Sequence, residues 1–482
     1  MTRIAVLAVI VAACGTDSVV VTPVIDVPDP SDNAAIGDLK QVVVAIAHAG
    51  DPDDIVSQTF NAGDAIELSG VPFADDLVIH VTGDKDVAYG RTCAFAVSPT
   101  GAPPSPHLFL SRLVKFASLP FTPEQRDGGS AVTASDGSAL LVGGSGAGGD
   151  VIDIERFDPT SNTSSVIGQL LPREGAVVAG LGTATSQFAV LGGVQAGGLV
   201  QFFETIDVGG PATHRVETHQ DNMMGRIGLT ATTLTDGTIV VIGGEPPGMV
   251  ATGIADQVTP APGGTPEVTP LPRASLAHSR IDHTATRLGN DNGAKVLIAG
   301  GTDETGAVVA VAELFRPLTG DLADPASFTP MMKHPRSKHH AVLAPDGSVL
   351  IIGGVQPNGS GGVVGVPQIE QFSFDTGFVD VAQLDPTAGF VDFTTTALPD
   401  GRILVIGGLN DPSNPASAVA TTSIIEQHPV TGGITVSAAD SLAVPRAGHQ
   451  ATLLCDGTVL VTGGTADSSP AERYNPIADG RR

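Results

Sequence analysis

Short apolar runs that stop at two glycines recur along the chain. The stretch from Ser348 to Gly354 reads SVLIIGG, and SALLVGG, TIVVIGG, KVLIAGG, RILVIGG and TVLVTGG are close relatives of it. Each run is apolar at consecutive positions, which is typical of a strand covered on both faces rather than of an amphipathic helix. Glycine fits where the backbone turns left-handed or approaches another backbone too closely for a Cβ atom. The pattern therefore predicts a buried strand that ends at such a place in each copy.

Seven glycine pairs recur with nearly constant spacing. Successive pairs are 49 to 57 residues apart, and a fixed period of this length is typical of repeat architectures. We interpret the pairs as structural repeat glycines that carry no chemistry of their own. They are Gly143 and Gly144, Gly192 and Gly193, Gly243 and Gly244, Gly300 and Gly301, Gly353 and Gly354, Gly407 and Gly408, and Gly463 and Gly464.

Other residues keep a fixed distance from the glycine pair. An Asp-Gly dipeptide stands seven residues before it in five copies, and an Arg stands seventeen before it in four. The dipeptide supplies the positive φ of a tight hairpin turn, so one strand precedes it and another follows. A Glu and an aromatic residue mark a further strand after the pair, as in ERFDP at Glu155 and ERYNP at Glu472. Each repeat is thus predicted to be an antiparallel sheet of about four strands.

Seven such sheets packed face to face in radial array would make a β-propeller. The sequence resembles the kelch repeat family, including bacterial kelch units related to the galactose oxidase propeller, and the resemblance covers roughly residues 113–482. It departs from the family in lacking the outer-strand Trp and in having Phe390 where the sixth copy should have its Arg. The predicted fold class is all-β: a seven-bladed kelch-type β-propeller preceded by a small β-sandwich domain.

The last copy is too short to supply a fourth strand, because only IADGRR follows ERYNP. We expect residues 108–120 to close the seventh blade, so that the propeller occupies residues 108–482. Residues 37–107 contain β-like runs separated by Asp, Gly and Pro clusters. We interpret them as a small β-sandwich, Ig-like or cadherin-like in topology, that acts as a spacer or an interaction unit.

The N-terminus has the pattern of an export signal. Residues 1–13 contain Arg3 and an apolar segment that is too short to span a bilayer but suits a signal peptide. The stretch VAAC that ends at Cys14 resembles the bacterial lipobox, whose cysteine is acylated; a chance Cys in an ordinary signal peptide is the alternative. Residues 14–36, rich in Pro, Asp, Ser and Thr, are predicted to be a flexible tether. We therefore expect an exported protein, anchored by lipid at Cys14, on the bacterial outer membrane or cell surface.

The net charge and the cysteine content limit which partners and which compartment are expected. The 482 residues include 24 basic and 51 acidic ones, a net charge of -27. An acidic surface repels phosphate, so nucleic acid is not expected as a partner, and contact with the membrane is expected only through the N-terminal lipid. Cys93 and Cys455 remain besides Cys14. In an exported protein they are either a disulfide that fastens the small domain to the propeller seam or two buried free thiols.

The candidate chemistry is sparse. The copper-radical oxidase with a kelch propeller is the enzymatic relative, and by that resemblance its copper site needs two Tyr and two His, with one Tyr cross-linked to a Cys. The two tyrosines here are Tyr89, in the small domain, and Tyr474, in ERYNP, so the site cannot be assembled in the family's way. His283, His339 and His449 recur at one equivalent position, which favours a shared structural role over metal binding. No catalytic residue, cofactor or metal site is predicted.

The function expected from these features is binding. We expect a non-catalytic, monomeric cell-envelope lipoprotein that binds a protein or carbohydrate ligand through loops on one propeller face. The candidate loops are long inserts after the glycine pairs, such as residues 355–368 and 409–422. The alternatives are a carbohydrate-active or oxidative enzyme with an unrecognised site, and a passive structural component of the envelope.

Overall fold

Strands make up most of the regular structure. A computed structural model describes residues 18–28, 34–84, 87–184, 186–195, 198–209, 214–220, 225–261, 264–323, 328–464 and 469–477. The helical elements bounded within these ranges are α1 (Ala34–Gly37) and two 3-10 turns, Pro272–Ala274 and Pro415–Ser417. Over the described ranges, no helix has the length and apolar character needed to cross a bilayer. The all-β class predicted from the sequence is confirmed.

Ten strands and α1 form a domain that precedes the repeats. The strands are β1 (Ser18–Val21), β2 (Val24–Asp26), β3 (Gln41–His48), β4 (Val56–Asn61), β5 (Leu68–Pro72), β6 (Ala74–Gly83), β7 (Ala88–Arg91), β8 (Phe95–Val97), β9 (His107–Phe109) and β10 (Ser111–Arg112). One sheet has the order β10-β7-β6-β3-β4, and β8 also pairs with β6. Strand β1 pairs with β5, and β2 runs parallel to β9. Buried aliphatic side chains such as Val44, Leu68 and Ile79 form the core between these sheets.

This domain is longer than the sequence pattern predicts. A flexible tether was expected over residues 14–36, but β1 and β2 lie in it, and Val21 is fully buried. The β-branched runs VVV and VI in this segment favour strands and supply apolar side chains for the domain core. At the other end, β9 and β10 pair inside the domain. Of the expected closing segment 108–120, the part that joins the repeats therefore begins at Lys115.

Seven antiparallel sheets with four main strands each follow within the described ranges. The first three sheets are β12 (Ser130–Thr133), β13 (Ala139–Val142), β16 (Asp153–Asp158) and β17 (Thr163–Gln169); β18 (Glu174–Gly180), β19 (Gln187–Gln195), β21 (Phe202–Asp207) and β22 (Arg215–Gln220); and β23 (Thr230–Thr233), β24 (Ile239–Ile242), β25 (Ala255–Thr259) and β26 (Glu267–Pro270). Short strands β14 (Ser145–Gly146), β15 (Gly149–Asp150) and β20 (Gly198–Leu199) lie in the loops after the glycine pairs.

The remaining sheets repeat this order. They are β27 (Thr284–Arg287), β28 (Val296–Ala299), β29 (Glu313–Arg316) and β30 (Asp321–Leu322); β31 (His340–Leu343), β32 (Val349–Ile352), β35 (Gln368–Ser373) and β36 (Gly377–Gln383); β37 (Thr394–Ala397), β38 (Ile403–Ile406), β39 (Thr422–Gln427) and β40 (Ile434–Ala438); and β41 (His449–Leu453), β42 (Val459–Gly463) and β43 (Glu472–Asn475) with β11 (Lys115–Ser118). Strands β33 (Val355–Pro357) and β34 (Val363–Gly365) form a hairpin in the loop of the fifth sheet.

Strand β32 shows why these strands are apolar at every position. Leu350 and Ile352 pack with side chains of the sixth sheet. Val349 and Ile351, on the opposite face of the same strand, pack with side chains of the fourth sheet. Neighbouring sheets therefore cover both faces, and burying each side chain contributes about 1.5–3 kcal/mol.

The glycine pair after β32 meets both conditions that require glycine. Gly353 and Gly354 have φ of 64° and 89°. A Cβ on Gly353 would lie 2.5 Å from the ring of Phe393, and one on Gly354 would lie 2.7 Å from the carbonyl oxygen of Ser337. We call the end of the sheets with the glycine pairs the glycine-pair side and the end with the Asp-Gly hairpins the turn side.

The other six pairs adopt the same backbone conformation. Their φ values are 65° and 87° at Gly143 and Gly144, 69° and 83° at Gly192 and Gly193, 65° and 95° at Gly243 and Gly244, 65° and 89° at Gly300 and Gly301, 60° and 96° at Gly407 and Gly408, and 68° and 88° at Gly463 and Gly464. A Cβ on the second glycine would lie 2.5–3.0 Å from a backbone carbonyl oxygen of the same sheet at Gly144, Gly244, Gly301, Gly408 and Gly464.

Two pairs differ from the expected position at the end of a strand. In the second sheet, β19 continues through Gly192 and Gly193 to Gln195, because Val194 and Gln195 pair with β20 in the following loop. In the last sheet, β42 includes Gly463, which pairs with His449, and Gly464 lies just after it. The expectation that the apolar strand ends at the pair is therefore wrong for Gly192 and Gly193 and shifted by one residue at Gly463.

The last sheet combines the two ends of the repeat region. Its outermost strand is β11, which pairs with β43 from Lys115↔Asn475 to Ser118↔Glu472. The first strand of each sheet contacts the first strand of the next one along the chain, and β41 in the last sheet also contacts β12 in the first.

Candidate functional site

Six of the seven sheets described contain a buried arginine before the first strand that pairs with an acidic side chain of the third strand. The pairs are Arg126–Glu155, Arg173–Glu204, Arg226–Asp256, Arg280–Glu313, Arg336–Glu370 and Arg446–Glu472. In the fifth sheet Arg336 donates to Glu370 Oε2 at 2.7 Å and to the carbonyl oxygen of Gly353 at 3.0 Å. Burial lowers the pKa of the Arg336 guanidinium, and the charge of Glu370 opposes this change. The pair thus ties the glycine pair to the third strand of its own sheet, which is a structural role.

The sixth sheet lacks both members of the pair. Phe390 replaces the arginine, and Ser423 pairs with Val405 as Glu370 pairs with Ile351 in the fifth sheet. A buried carboxylate without a counter-charge is costly. Losing the two members together avoids that cost.

Fixed spacing alone misses part of this set. Arg173 and Arg280 stand nineteen and twenty residues before their glycine pairs rather than seventeen, and Asp256 replaces the usual Glu. In all six sheets, the acidic residue pairs with the residue two positions before the glycine pair. This register is visible only in the structure.

The recurring histidines lie between sheets and are not brought together. His283, His339 and His449 are buried, and each Nε2 is 2.9–3.0 Å from a threonine hydroxyl of the preceding sheet. Burial, followed by the charges of nearby arginines, lowers the pKa of His283 to about 3. These imidazoles are therefore neutral near pH 7 and support the contacts between sheets.

A residue in the left-handed conformation stands two positions after each arginine or its replacement. We call these seven residues the belt: Gly128, Gly175, Gly228, Asp282, Lys338, Asp392 and Gly448, with φ of 54–69°. Backbone hydrogen bonds connect belt residues of neighbouring sheets, for example from Lys338 N to Asp282 O at 2.9 Å and from Gly448 N to Asp392 O at 2.8 Å. Six belt residues lie just before the first strand of their sheet and Gly175 is the second residue of β18, so all seven are on the glycine-pair side.

Charged side chains occupy three successive belt positions. Burial, together with the charge of Asp392, raises the pKa of Asp282, and Lys338 opposes the rise. Asp127 precedes the first belt residue, and partial burial and the charge of Asp392 raise its pKa as well. A Cβ on Gly448 would collide with the Asp127 carboxylate. The belt and the adjoining Asp127 thus form a polar site with three carboxylates and one amine.

Sequence reasoning missed the belt, although a signal was present. Aligning the copies on the arginine gives Gly at four of the seven positions and Asp at two, and both residue types tolerate the left-handed conformation. Lys338 is the exception, because lysine has no such preference. Non-glycine residues held there carry a local energetic cost that glycine avoids.

The other predicted residues are placed as follows. Cys93 and Cys455 form a disulfide with Cα atoms 5.0 Å apart. Cys14 lies outside the described residues. Of the candidate loops, residues 355–368 contain the β33–β34 hairpin, and residues 409–422 contain the 3-10 turn Pro415–Ser417. Both loops lie on the glycine-pair side.

Comparison with known proteins shows the fold. No protein-family model and no curated protein sequence matches the chain. A solved structure described as a novel fungal alcohol oxidase with catalytic diversity among the AA5 family, in complex with copper, matches with a TM-score of 0.54 and 16 % identity, over 76 % of this chain and 77 % of that one. The structure of YjhT matches with a TM-score of 0.48 and 14 % identity, over 66 % of this chain and 99 % of that one. The likeness to the oxidase shows the fold alone: the molecule is an all-β protein with a propeller-like fold.

The copper site of such an oxidase does not fit the residues present here. Tyr474 is fully buried against Phe116, with ring centroids 4.8 Å apart, and burial raises the pKa of its phenol. Tyr89 belongs to the N-terminal domain. Over the described ranges, no group of three or more His, Cys, Asp or Glu side chains is arranged to hold a metal ion.

Proposed function

We propose that the seven sheets form a closed, seven-bladed propeller that binds a protein or carbohydrate ligand on the glycine-pair side without catalysing a reaction. Two observations support the closed ring. The first strands contact one another from β12 to β41, and β41 contacts β12. Strand β11 completes the last sheet from the far end of the repeat region.

The proposal of a ligand site on the glycine-pair side rests on the difference between that side and the turn side. On the turn side, Cys455 lies in the hairpin between β41 and β42 and is bonded to Cys93 of the N-terminal domain. Asn475, at the turn end of β43, donates to the carbonyl oxygen of Tyr89 at 2.9 Å and to the hydroxyl of Ser111 at 3.0 Å. The N-terminal domain therefore covers the turn side at the last sheet. The belt charges and long loops occupy the other side, where the ligand would bind.

The belt side chains suit a ligand rich in hydroxyl and amide groups. Asp282 and Asp392 carry acceptor oxygens, and Lys338 carries donor protons. Such a mixed set can satisfy the hydroxyls of a sugar or the main chain of a protein segment. Net negative charge over the whole chain disfavours nucleic acid.

Glycine substitutions test this site without disturbing the backbone. Asp282→Gly/Lys338→Gly/Asp392→Gly copies the residue found at the other four belt positions in the same conformation. Purified wild-type protein and the triple variant would be screened on glycan and peptide arrays, followed by affinity measurement on the best hit. We expect at least a tenfold loss of affinity in the triple variant, with the thermal midpoint nearly unchanged.

The matched control removes charge from the turn side. Asp375→Asn, in the exposed turn between β35 and β36, changes the net charge by the same amount as the triple variant. Unchanged affinity in the triple variant, or equal loss in the control, would reject the belt as the binding site. Turnover of a carbohydrate, or oxidation of one, would favour the enzymatic alternative.

The cellular setting is proposed on separate grounds. The protein would be exported, acylated at Cys14, held as a monomer on the outer membrane or cell surface, and would need no cofactor. The disulfide between Cys93 and Cys455 suits an oxidising compartment. Mass spectrometry of the N-terminal peptide from the membrane fraction should find a diacylglyceryl group on Cys14, and an unmodified Cys14 in the mature protein would reject the anchor.

A further inference from the structure

Strand β11 is a short strand at the edge of the last sheet. It has four residues, and β43 is its one neighbour in the sheet order of the described chain. Lys115 pairs with Asp440 at 2.7 Å, but both side chains are partly exposed, and such pairs stabilise little. Phe116 packs on Tyr474, and Ala117 is buried in a cluster with Phe109 of the N-terminal domain. Short edge strands of this kind open more easily than central strands.

The disulfide lies next to the seam between the last and first sheets. Cys455 is in the hairpin of the last sheet, and its Sγ lies 3.4 Å from the carbonyl oxygen of Gly137, in the corresponding hairpin of the first sheet. A Cβ on Gly137 would collide with Cys455 and would lie 3.6 Å from Cys93 Sγ. The bond therefore joins the N-terminal domain to the last sheet at the point where the first sheet touches it.

A buried arginine joins the same three parts without a covalent bond. Arg473 in β43 is fully buried, pairs with Asp456, and its guanidinium lies 4.2 Å from the ring centroid of Phe109 in the N-terminal domain. The guanidinium is also 5.9 Å from the ring centroid of Phe157 and 3.4 Å from Asn162 Oδ1, both in the first sheet. The N-terminal domain thus packs on both sheets that meet at the seam.

We propose that the N-terminal domain and its disulfide are a redox-dependent latch that keeps β11 in the last sheet. The inference rests on the closed ring proposed above, but not on any ligand. Counted through the bond, about 42 residues separate the paired residues Lys115 and Asn475, with 22 from Lys115 to Cys93 and 20 from Cys455 to Asn475, whereas roughly 360 residues separate them along the chain. With the three-halves power of loop length, the bond raises the local concentration of a detached β11 by at most about 25-fold, because the sheets between the two segments are already folded.

The latch closes by oxidation of two thiols. The thiols of Cys93 and Cys455 lose two protons and two electrons to a disulfide-exchange oxidant, and one S–S bond forms. A dithiol reductant returns the two electrons and two protons and restores both thiols. The disulfide would therefore be fully formed only in an oxidising compartment.

Hydrogen exchange tests the latch on the intact protein. We would compare the oxidised protein, the protein reduced with dithiothreitol, and Cys93→Ser/Cys455→Ser by mass spectrometry. Peptides that cover residues 115–118 and 472–475 should exchange faster without the bond, by up to about 25-fold, and the peptide over 349–352 should change less than about twofold. Removing the reductant under oxidising conditions should restore slow exchange.

Two glycine variants separate the seam contact from backbone strain. Gly137→Ala and Gly347→Ala occupy the same hairpin position in the first and fifth sheets, with φ of 81° and 82°, but nothing lies within 4 Å of a Cβ on Gly347. Gly137→Ala should speed exchange at the seam more than Gly347→Ala does. Equal effects of the two, unchanged exchange on reduction, or uniform loss of protection in all sheets would overturn the proposal. If the double serine variant fails to fold, reduction of the folded protein gives the same test.

Discussion

Replacing Glu370 by Ser should leave the Arg336 guanidinium buried without its counter-charge. Both side chains have 0 % exposure, and the donor and acceptor atoms are 2.7 Å apart. Breaking a buried pair in this way costs about 3–5 kcal/mol. Glu370 also accepts from the backbone N–H groups of Lys333 and His334, and losing these bonds adds about 1 kcal/mol.

Arg336→Phe/Glu370→Ser reproduces the combination found naturally in the sixth sheet. The double variant contains no unpaired charge, so it should be about 2 kcal/mol more stable than Glu370→Ser alone. Recovery should be incomplete, because the ring of Phe390 packs against Gly365 of the fifth sheet, where a Cβ would collide with it. The corresponding residue of the fourth sheet, five positions before Glu313, is Val308, so the new ring would find less room.

Urea unfolding followed by circular dichroism measures these differences, because the chain has no Trp to report by fluorescence. Both single variants and the double variant form a cycle that isolates the interaction between Arg336 and Glu370. A cost below about 1 kcal/mol for Glu370→Ser, or a double variant less stable than both singles, would refute the assignment of a buried charge pair. It would also remove the reason given for the joint replacement in the sixth sheet.

Three further predictions concern buried groups. The pKa of His283 is about 3 in the folded chain, against an ordinary value of 6.5. The neutral imidazole therefore stabilises the fold above pH 6.5, and this stability is lost as pH falls, by about 1.4 kcal/mol per pH unit. The urea midpoints at pH 7 and pH 5 should differ less in His283→Leu than in wild type. The hydroxyl of Tyr474 is buried, and no hydrogen-bond partner for it occurs among the described residues. Tyr474→Phe should therefore leave the thermal midpoint unchanged or raise it, with a gain in stability of up to about 1 kcal/mol. A clear loss of stability would show that the hydroxyl has a partner. Gly353→Ala combines a φ of 64° with a collision against Phe393; it should cost about 2 kcal/mol or more, and Gly347→Ala should cost markedly less.

The repeat structure could be predicted from the sequence because glycine imposes a local requirement. Positive φ at Gly353 and at Gly347 limits these positions to glycine or a few tolerant residues. The apolar run from Val349 to Ile352 needs cover on both faces, and face-to-face packing of sheets supplies it. Such signals are visible without knowing any distant contact.

Other parts could not be predicted because they depend on pairing between distant segments. Strand β1 pairs with β5 about fifty residues later, and nothing local in a Pro- and Asp-rich segment reports this pairing. Burial of Arg173 depends on Glu204 in the same sheet, at a spacing that differs from the other copies. The charges of Asp282, Lys338 and Asp392 are separated along the chain, and only the fold brings them into one series.

The pairing of β11 with β43 has a consequence for biosynthesis. Lys115 leaves the ribosome roughly 360 residues before its partner Asn475 does. At about 5–20 residues per second, this interval lasts about 20 to 70 s. The last sheet cannot exist on a nascent chain, so β11 must wait as an unpaired strand while the first six sheets are being made. The N-terminal domain is complete before any of them and can shelter that strand from wrong partners until the end of the chain arrives.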